Sequence, residues 1–151
     1  MDPYYQLAQQ YNLPIGVHTG GAGPDHGSPH FRLEMGNPNL WRGVLDKFPD
    51  LKIWLMHVGV QFYKEAIAFM KLYPQVYADL SVISDPDIIE PDEFSVMLDA
   101  FISNGLEDRL MFGSDNADIN KMINSIHNHD NLTPLQKDKI FYKNAEVFFK
   151  N

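Results

Sequence analysis

Short apolar runs that end in a polar residue or glycine alternate, along this chain, with longer segments whose apolar residues recur every three to four positions. The short runs are 14–18 (PIGVH), 51–57 (LKIWLMH), 76–80 (VYADL) and 109–115 (RLMFGSD). Each is too brief and too continuously apolar for a one-faced strand. They read as strands buried on both faces, as in a parallel sheet. The longer segments read as helices at 2–11, 39–48, 60–72, 91–103, 119–127 and 133–149. Leu40, Val44, Leu45 and Phe48 share one face of the second, and Ala66, Ile67, Phe69 and Met70 share one face of the third. Phe94, Met97, Leu98, Phe101 and Ile102 do so in the fourth. Asp2-Pro3 and Thr133-Pro134 have the form of a cap followed by proline in the first helical turn. A helix followed by four strand–helix repeats and a last helix predicts an α/β fold with a parallel sheet. No sequence repeat, low-complexity tract or linker interrupts it, so the chain reads as a single domain over residues 1–151. One long irregular stretch, 19–38, rich in Gly, Pro, Asp and His, follows the first strand. Loops in that position carry function in α/β folds.

Composition narrows the classes. The 151 residues are 44% apolar and 21% charged, ordinary for a folded globular protein. A formal net charge of −8 argues against binding to a phosphate backbone, so no nucleic-acid partner is expected. There is no cysteine, which excludes disulfides, thiolate metal ligands and a cysteine nucleophile. No charged start leads into an apolar run, and no apolar stretch approaches the ~18 residues of a membrane helix. The expected setting is the cytoplasm, with no membrane partner.

His18, His57 and Asp115 each stand at the C-terminal end of a different predicted strand. Parallel strands point the same way, so the three tips are expected to gather on one edge. Gly16 and Gly113 lie two residues earlier than His18 and Asp115, and their missing side chains are expected to leave room below the polar groups. Imidazole and carboxylate suit zinc and similar divalent ions. A bound ion brings water to a pKa of ~7, and a carboxylate beside it can carry the proton. On this reading a cation or a proton relay is what makes Asp115 tolerable at a strand tip. Plainer readings stand beside it. A lone strand-end histidine is commonly structural. Asp115 can cap a helix from Asn116 onward, and Asp79 can cap ahead of Ser81 and Asp85. His127-Asn128-His129 has ligand-like spacing, but its polar neighbours predict an exposed helix end. His26 and His30 have Gly27 and Pro29 between them, which argues against a helix and leaves them as loop residues.

The stretches LPIGVHTG, NPNLWRGVLDKFPDLKIWLMHVG, QVYADLS, RLMFGSD and KIFYKNAEVFF together resemble the C-terminal half of amidohydrolase-related TIM barrels. That group includes aminocarboxymuconate-semialdehyde decarboxylase and related metal-dependent hydrolases. The resemblance implies a partial (β/α)8 barrel made of about the last four βα units, with a helix before them and one at the C-terminus. It implies a divalent metal, most often zinc, and a small-molecule substrate. His18 matches a metal-ligating histidine of the fifth strand. His57 matches the sixth-strand histidine, which contacts water or substrate. Asp115 matches the eighth-strand aspartate, both metal ligand and acid–base group. The family's first-strand His-x-His pair has no counterpart here, since His127-Asn128-His129 falls after the last strand. A full barrel takes ~250 residues, so the expectation is a half barrel, either a fragment or one that pairs as a homodimer or with a missing N-terminal half. Metal-dependent hydrolysis is the favoured activity. A non-oxidative decarboxylase and a non-catalytic association module are the alternatives.

Overall fold

The computed structural model describes residues 1–21 and 32–150. His26, His30 and most of the long loop after the first strand therefore lie outside the described residues. The chain divides into two compact units, 1–77 and 78–150.

The first unit opens with α1 (Asp2–Gln10). Asp2 sits inside its first turn rather than capping it, because Met1 takes the cap position. The Asp2 carboxylate is held 2.5 Å from Lys47 Nζ, and this pulls its pKa below the usual carboxylate range. Tyr5 packs its ring edge-on against Trp41, at 5.9 Å. Strands β1 (Ile15–His18) and β2 (Ile53–Met56) pair in parallel, in register from Ile15↔Ile53 to His18↔Met56. Val17, Ile53 and Leu55, which share one face, are buried, while Gly16, Trp54 and Met56 on the other are half-buried, so full burial on both faces, as the sequence predicts, does not hold for this pair. The helix expected over 39–48 divides in two. A 3-10 turn, Pro38–Trp41, is capped by the Asn37 side chain, which accepts from the Asn39 amide at 2.9 Å. It leads into α2 (Arg42–Lys47). Helix α3 (Tyr63–Leu72) buries Ala66, Ile67, Phe69 and Met70, the face the periodicity predicts. It starts three residues later than expected, because residues 57–60 turn through left-handed backbone.

The second unit pairs β3 (Val76–Asp79), which begins at the end of the first unit, with β4 (Leu110–Met111). The pairing is parallel, with Ala78↔Leu110 and Asp79↔Met111 in register. Helix α4 (Pro91–Ser103) buries Phe94, Met97, Leu98 and Phe101. Helix α5 (Ile119–His127) buries Met122 and Ile126. Helix α6 (Pro134–Asp138) starts with a capping box between Thr133 and Gln136. It runs on through a π-helical turn, Lys139–Lys143, into α7 (Asn144–Phe149).

Strand β4 is far shorter than the predicted 109–115, and the C-terminal helices account for it. Beyond Met111 the ladder gives way to the π turn, whose Ile140 carbonyl accepts the Phe112 amide at 2.7 Å. A π turn shifts the helical hydrogen-bond pattern by one residue, which frees a carbonyl for such use. The buried Asn144 amide donates to the carbonyls of Glu107 and Leu110, each at 2.7 Å. Backbone groups that a further strand would take are thus taken by helix.

Candidate active site

The first unit places two of the three expected residues side by side. His18 ends β1, and His57 follows directly on β2. Their rings meet edge-on, centroids 4.9 Å apart and planes at 71°. His18 is exposed and His57 is buried. The sequence reading makes His57 the last strand residue. The structure corrects this: β2 stops at Met56, and His57 begins a left-handed run with φ of 63°, 42°, 86° and 39° at His57, Val58, Gly59 and Val60. Strand alternation therefore does not set the direction of His57.

Hydrogen bonds hold the residues on either side of this turn to the loop after β1, and close that loop on itself. The buried Thr19 hydroxyl donates to the Met56 carbonyl at 2.5 Å. The Gly20 amide donates to the Gly36 carbonyl at 3.0 Å, and the Gly21 amide to Gln61 Oε1 at 2.8 Å. β-branched residues at positive φ are costly, about 1–3 kcal/mol each. Val58 and Val60 persist there because buried apolar packing, with Val58 fully enclosed, and these hydrogen bonds over-determine the turn.

Asp115 lies in the second unit, at the tip of β4, with φ 48°. It is exposed, so no cation is required to offset burial of its charge. This corrects the sequence-based rationale, which treats the tip as a buried place. The capping alternative also falls, because Asp118, not Asp115, caps α5: its carboxylate accepts from the amides of Asn120 and Lys121, at 3.0 and 3.2 Å. Asp115 is left in a turn closed by the Ala117 amide donating to the Ser114 carbonyl at 3.2 Å.

Left-handed non-glycine backbone follows three of the strands among the described residues: 57, 58 and 60 after β2, Val82 after β3, and Asp115 after β4. Strain of this kind collects at functional sites. The space expected beside the glycines is filled, however. A Cβ on Gly16 would meet Met56 Cε and Trp54 Cζ2 at 2.5 Å, and one on Gly113 would meet Asp79 Cγ at 3.2 Å. These glycines admit neighbouring side chains instead of leaving a void. Asp79 is buried and accepts from the Ser81 amide at 3.0 Å and from the Ser81 hydroxyl, which is the local capping role.

The other histidines separate. His127 is exposed and stacks on Phe141, centroids 4.7 Å apart. His129, expected to be exposed, is buried, with Nε2 2.8 Å from Asp99 Oδ1 and Nδ1 3.5 Å from Ser95 Oγ. It fastens the α5–α6 connection to α4. Buried Asp85 and Asn144 are organising residues that the sequence reading passes over. Their signals were present: an aspartate ahead of proline in SDPD, and a lone amide in the apolar helix KNAEVFF.

The amidohydrolase family's sequence model matches residues 1–150. The chain belongs to the amidohydrolase family. No curated protein matches this chain by sequence. Among solved structures, an uncharacterised TIM-barrel protein from Bordetella bronchiseptica matches at 21% identity and a TM-score of 0.73, over 97% of this chain and 49% of that one. An amidohydrolase from Burkholderia multivorans with bound zinc matches at 15% identity and a TM-score of 0.69, over 93% and 54%. A 5-carboxyvanillate decarboxylase from Novosphingobium aromaticivorans, complexed with manganese and a nitrobenzoic acid, matches at 18% and 0.62, over 99% and 51%. The chain thus spans about half the length of the structures it matches. Its fold is a partial (β/α)8 barrel. Metals of this family fit the donor types here but not their number. Among the described residues, no three His, Asp or Glu side chains are placed to hold a metal ion, whereas catalytic zinc sites use about three protein ligands.

Proposed function

We propose that this chain supplies the C-terminal part of the active site of a metal-dependent hydrolase acting on a small molecule. The observation that carries the reading is the edge-on pair of His18 and His57 at the ends of two paired parallel strands, 4.9 Å apart. In (β/α)8 barrels the C-terminal strand ends build the active site. In the family pattern the residue that Asp115 matches, here in the turn beyond β4, is both metal ligand and acid–base group.

His18 and Asp115 would be two of the ligands of a divalent ion, zinc in the first instance, with the remaining ligands outside the described residues. Such an ion supplies Lewis acidity to a water or a substrate oxygen. The chain's own residues do the proton work. Asp115, exposed and therefore open to substrate, accepts a proton as its carboxylate and returns it to the leaving group. His57, buried and held by its turn, donates a hydrogen bond to the oxygen on which charge develops.

Decarboxylation is the second reading, favoured by the likeness to a decarboxylase. There Asp115 delivers its proton to the carbon that loses the carboxylate. The test is a panel of lactones, amides and phenolic carboxylic acids, presented to the protein with Zn2+ or Mn2+, scored for hydrolysis and for CO2 release. Asp115→Asn is expected to lower turnover by about 10²- to 10⁴-fold with the circular dichroism spectrum unchanged. Turnover kept by Asp115→Asn overturns the assignment.

A further inference from the structure

The turn that carries Asp115 is fastened by a residue of a different loop. Asp85, in the segment after β3, is buried, and its two oxygens accept backbone amides on opposite sides. Oδ1 takes the Asp87 amide at 3.0 Å, within its own loop. Oδ2 takes the Asp118 amide at 2.9 Å, three residues beyond Asp115. Asp118 is also the residue that caps α5. The span from Ser114 to Asp118 is therefore closed at one end by the Ala117–Ser114 hydrogen bond and anchored at the other by Asp85. Asp115 sits inside it at φ 48°, a conformation that aspartate adopts more readily than most side chains but only as a minority state.

We propose that Asp85 is a positioning residue for Asp115: by fixing the Asp118 amide it holds the 114–118 turn in the form that keeps Asp115 left-handed and so sets where the Asp115 carboxylate stands. This deepens the functional reading and rests on it for its catalytic meaning, but the geometry is testable without a substrate. Two amides donated to one carboxylate make charge-assisted hydrogen bonds, roughly twice as strong as neutral ones. The amide of Asp87, then that of Asp118, and the charge of Lys121 hold the Asp85 carboxyl below the usual carboxylate range, against the opposing effect of burial. Lys121 in turn is bonded to Asp87, so the charged groups around Asp85 are Asp87, Asp118 and Lys121.

The experiment is NMR on the 15N-labelled protein. A residue at positive φ gives a strong cross-peak between its own amide and α protons, and Asp115 is expected to show one. In Asp85→Ala, amide exchange at Asp118 is expected to rise at least about tenfold, the loss of one charge-assisted bond, and the Asp115 cross-peak to fall to the level of its neighbours. Asp85→Asn keeps one oxygen acceptor and is expected to restore part of both signals, which also serves if the alanine variant fails to fold. Acid provides a third arm on the unaltered protein. Asp85 has a lower pKa folded than unfolded, so its contribution is whole above the unfolded value of ~3.9 and is lost as pH falls through the lower folded value. The Asp118 amide shift is thus expected to titrate with a midpoint below ~3.9. An Asp115 cross-peak unchanged in Asp85→Ala, or an Asp118 midpoint at or above that value, overturns the proposal. Failure of Asp115→Asn to affect turnover overturns only the catalytic role of Asp115, so the two failures are distinct.

Discussion

The chemistry of this chain depends on single residues held where a free backbone would not hold them. His57 and Asp115 both have positive φ, His57 directly after β2 and Asp115 in the turn four residues beyond β4. A side chain on a regular strand has two choices of face; one on a left-handed turn has a direction set by the turn alone. Gly113 shows how close the packing below is. An added Cβ would come within 3.0 Å of Ser81 Cβ and 3.2 Å of Asp79 Cγ. Neither neighbour is free to retreat, since Asp79 is bonded to Ser81 and both are buried. Gly113→Ala is therefore expected to destabilise the protein by about 1–3 kcal/mol, the usual cost of overpacking, as read by urea unfolding. An unaltered midpoint would show that the strand end is looser than described.

At the scale of elements, the exchange between β4 and the C-terminal helices decides how far the strand extends. Asn144 serves two carbonyls, those of Glu107 and Leu110, and the π turn serves the Phe112 amide. Asn144→Ala leaves two acceptors without this donor. Since an orphaned buried polar group costs about 1–3 kcal/mol, the variant is expected to lose stability in that range, and amide exchange at 110–112 is expected to speed up. An Asn144→Ala protein as stable as the original would remove the helix from the account of β4. The helices themselves were readable beforehand. Thr133-Pro134-Leu135-Gln136 is a capping box in sequence and in structure, and the buried faces of α3 and α4 are those that the periodicity marks. The boundaries were less readable. The start of α3 moved because the turn at 57–60 is flanked by bonds to residues some forty positions earlier, Thr19 on the Met56 carbonyl before it and the Gly21 amide on Gln61 after it. No local pattern encodes that.

For the molecule as a whole, the open question is what completes a partial barrel. Among the described residues β1 is paired with β2. The edge of β4 is taken in part by Asn144 and Ile140. Strand edges of an open sheet invite pairing with another chain. Light scattering after size exclusion is expected to show association, and a well-folded monomer that stays monodisperse at high concentration would count against it.

The order of helices and strands, the parallel class, the apolar faces and the identity of His18, His57 and Asp115 as candidates were all determined by sequence. Those features depend on local periodicity and on which side chains can bind a proton or a metal, and both are written residue by residue. Tertiary structure alone decided that His57 leaves its strand, that Asp115 is exposed and Asp118 does the capping, that His129 is buried against Asp99, and that Asp85 and Asn144 organise the β4 tip. The Asp118 cap is local, but the bonds of His129 to Asp99, Asp85 to Asp118 and Asn144 to Glu107 join segments about thirty or more positions apart, and such partners exist only once the backbone has folded to bring them within reach.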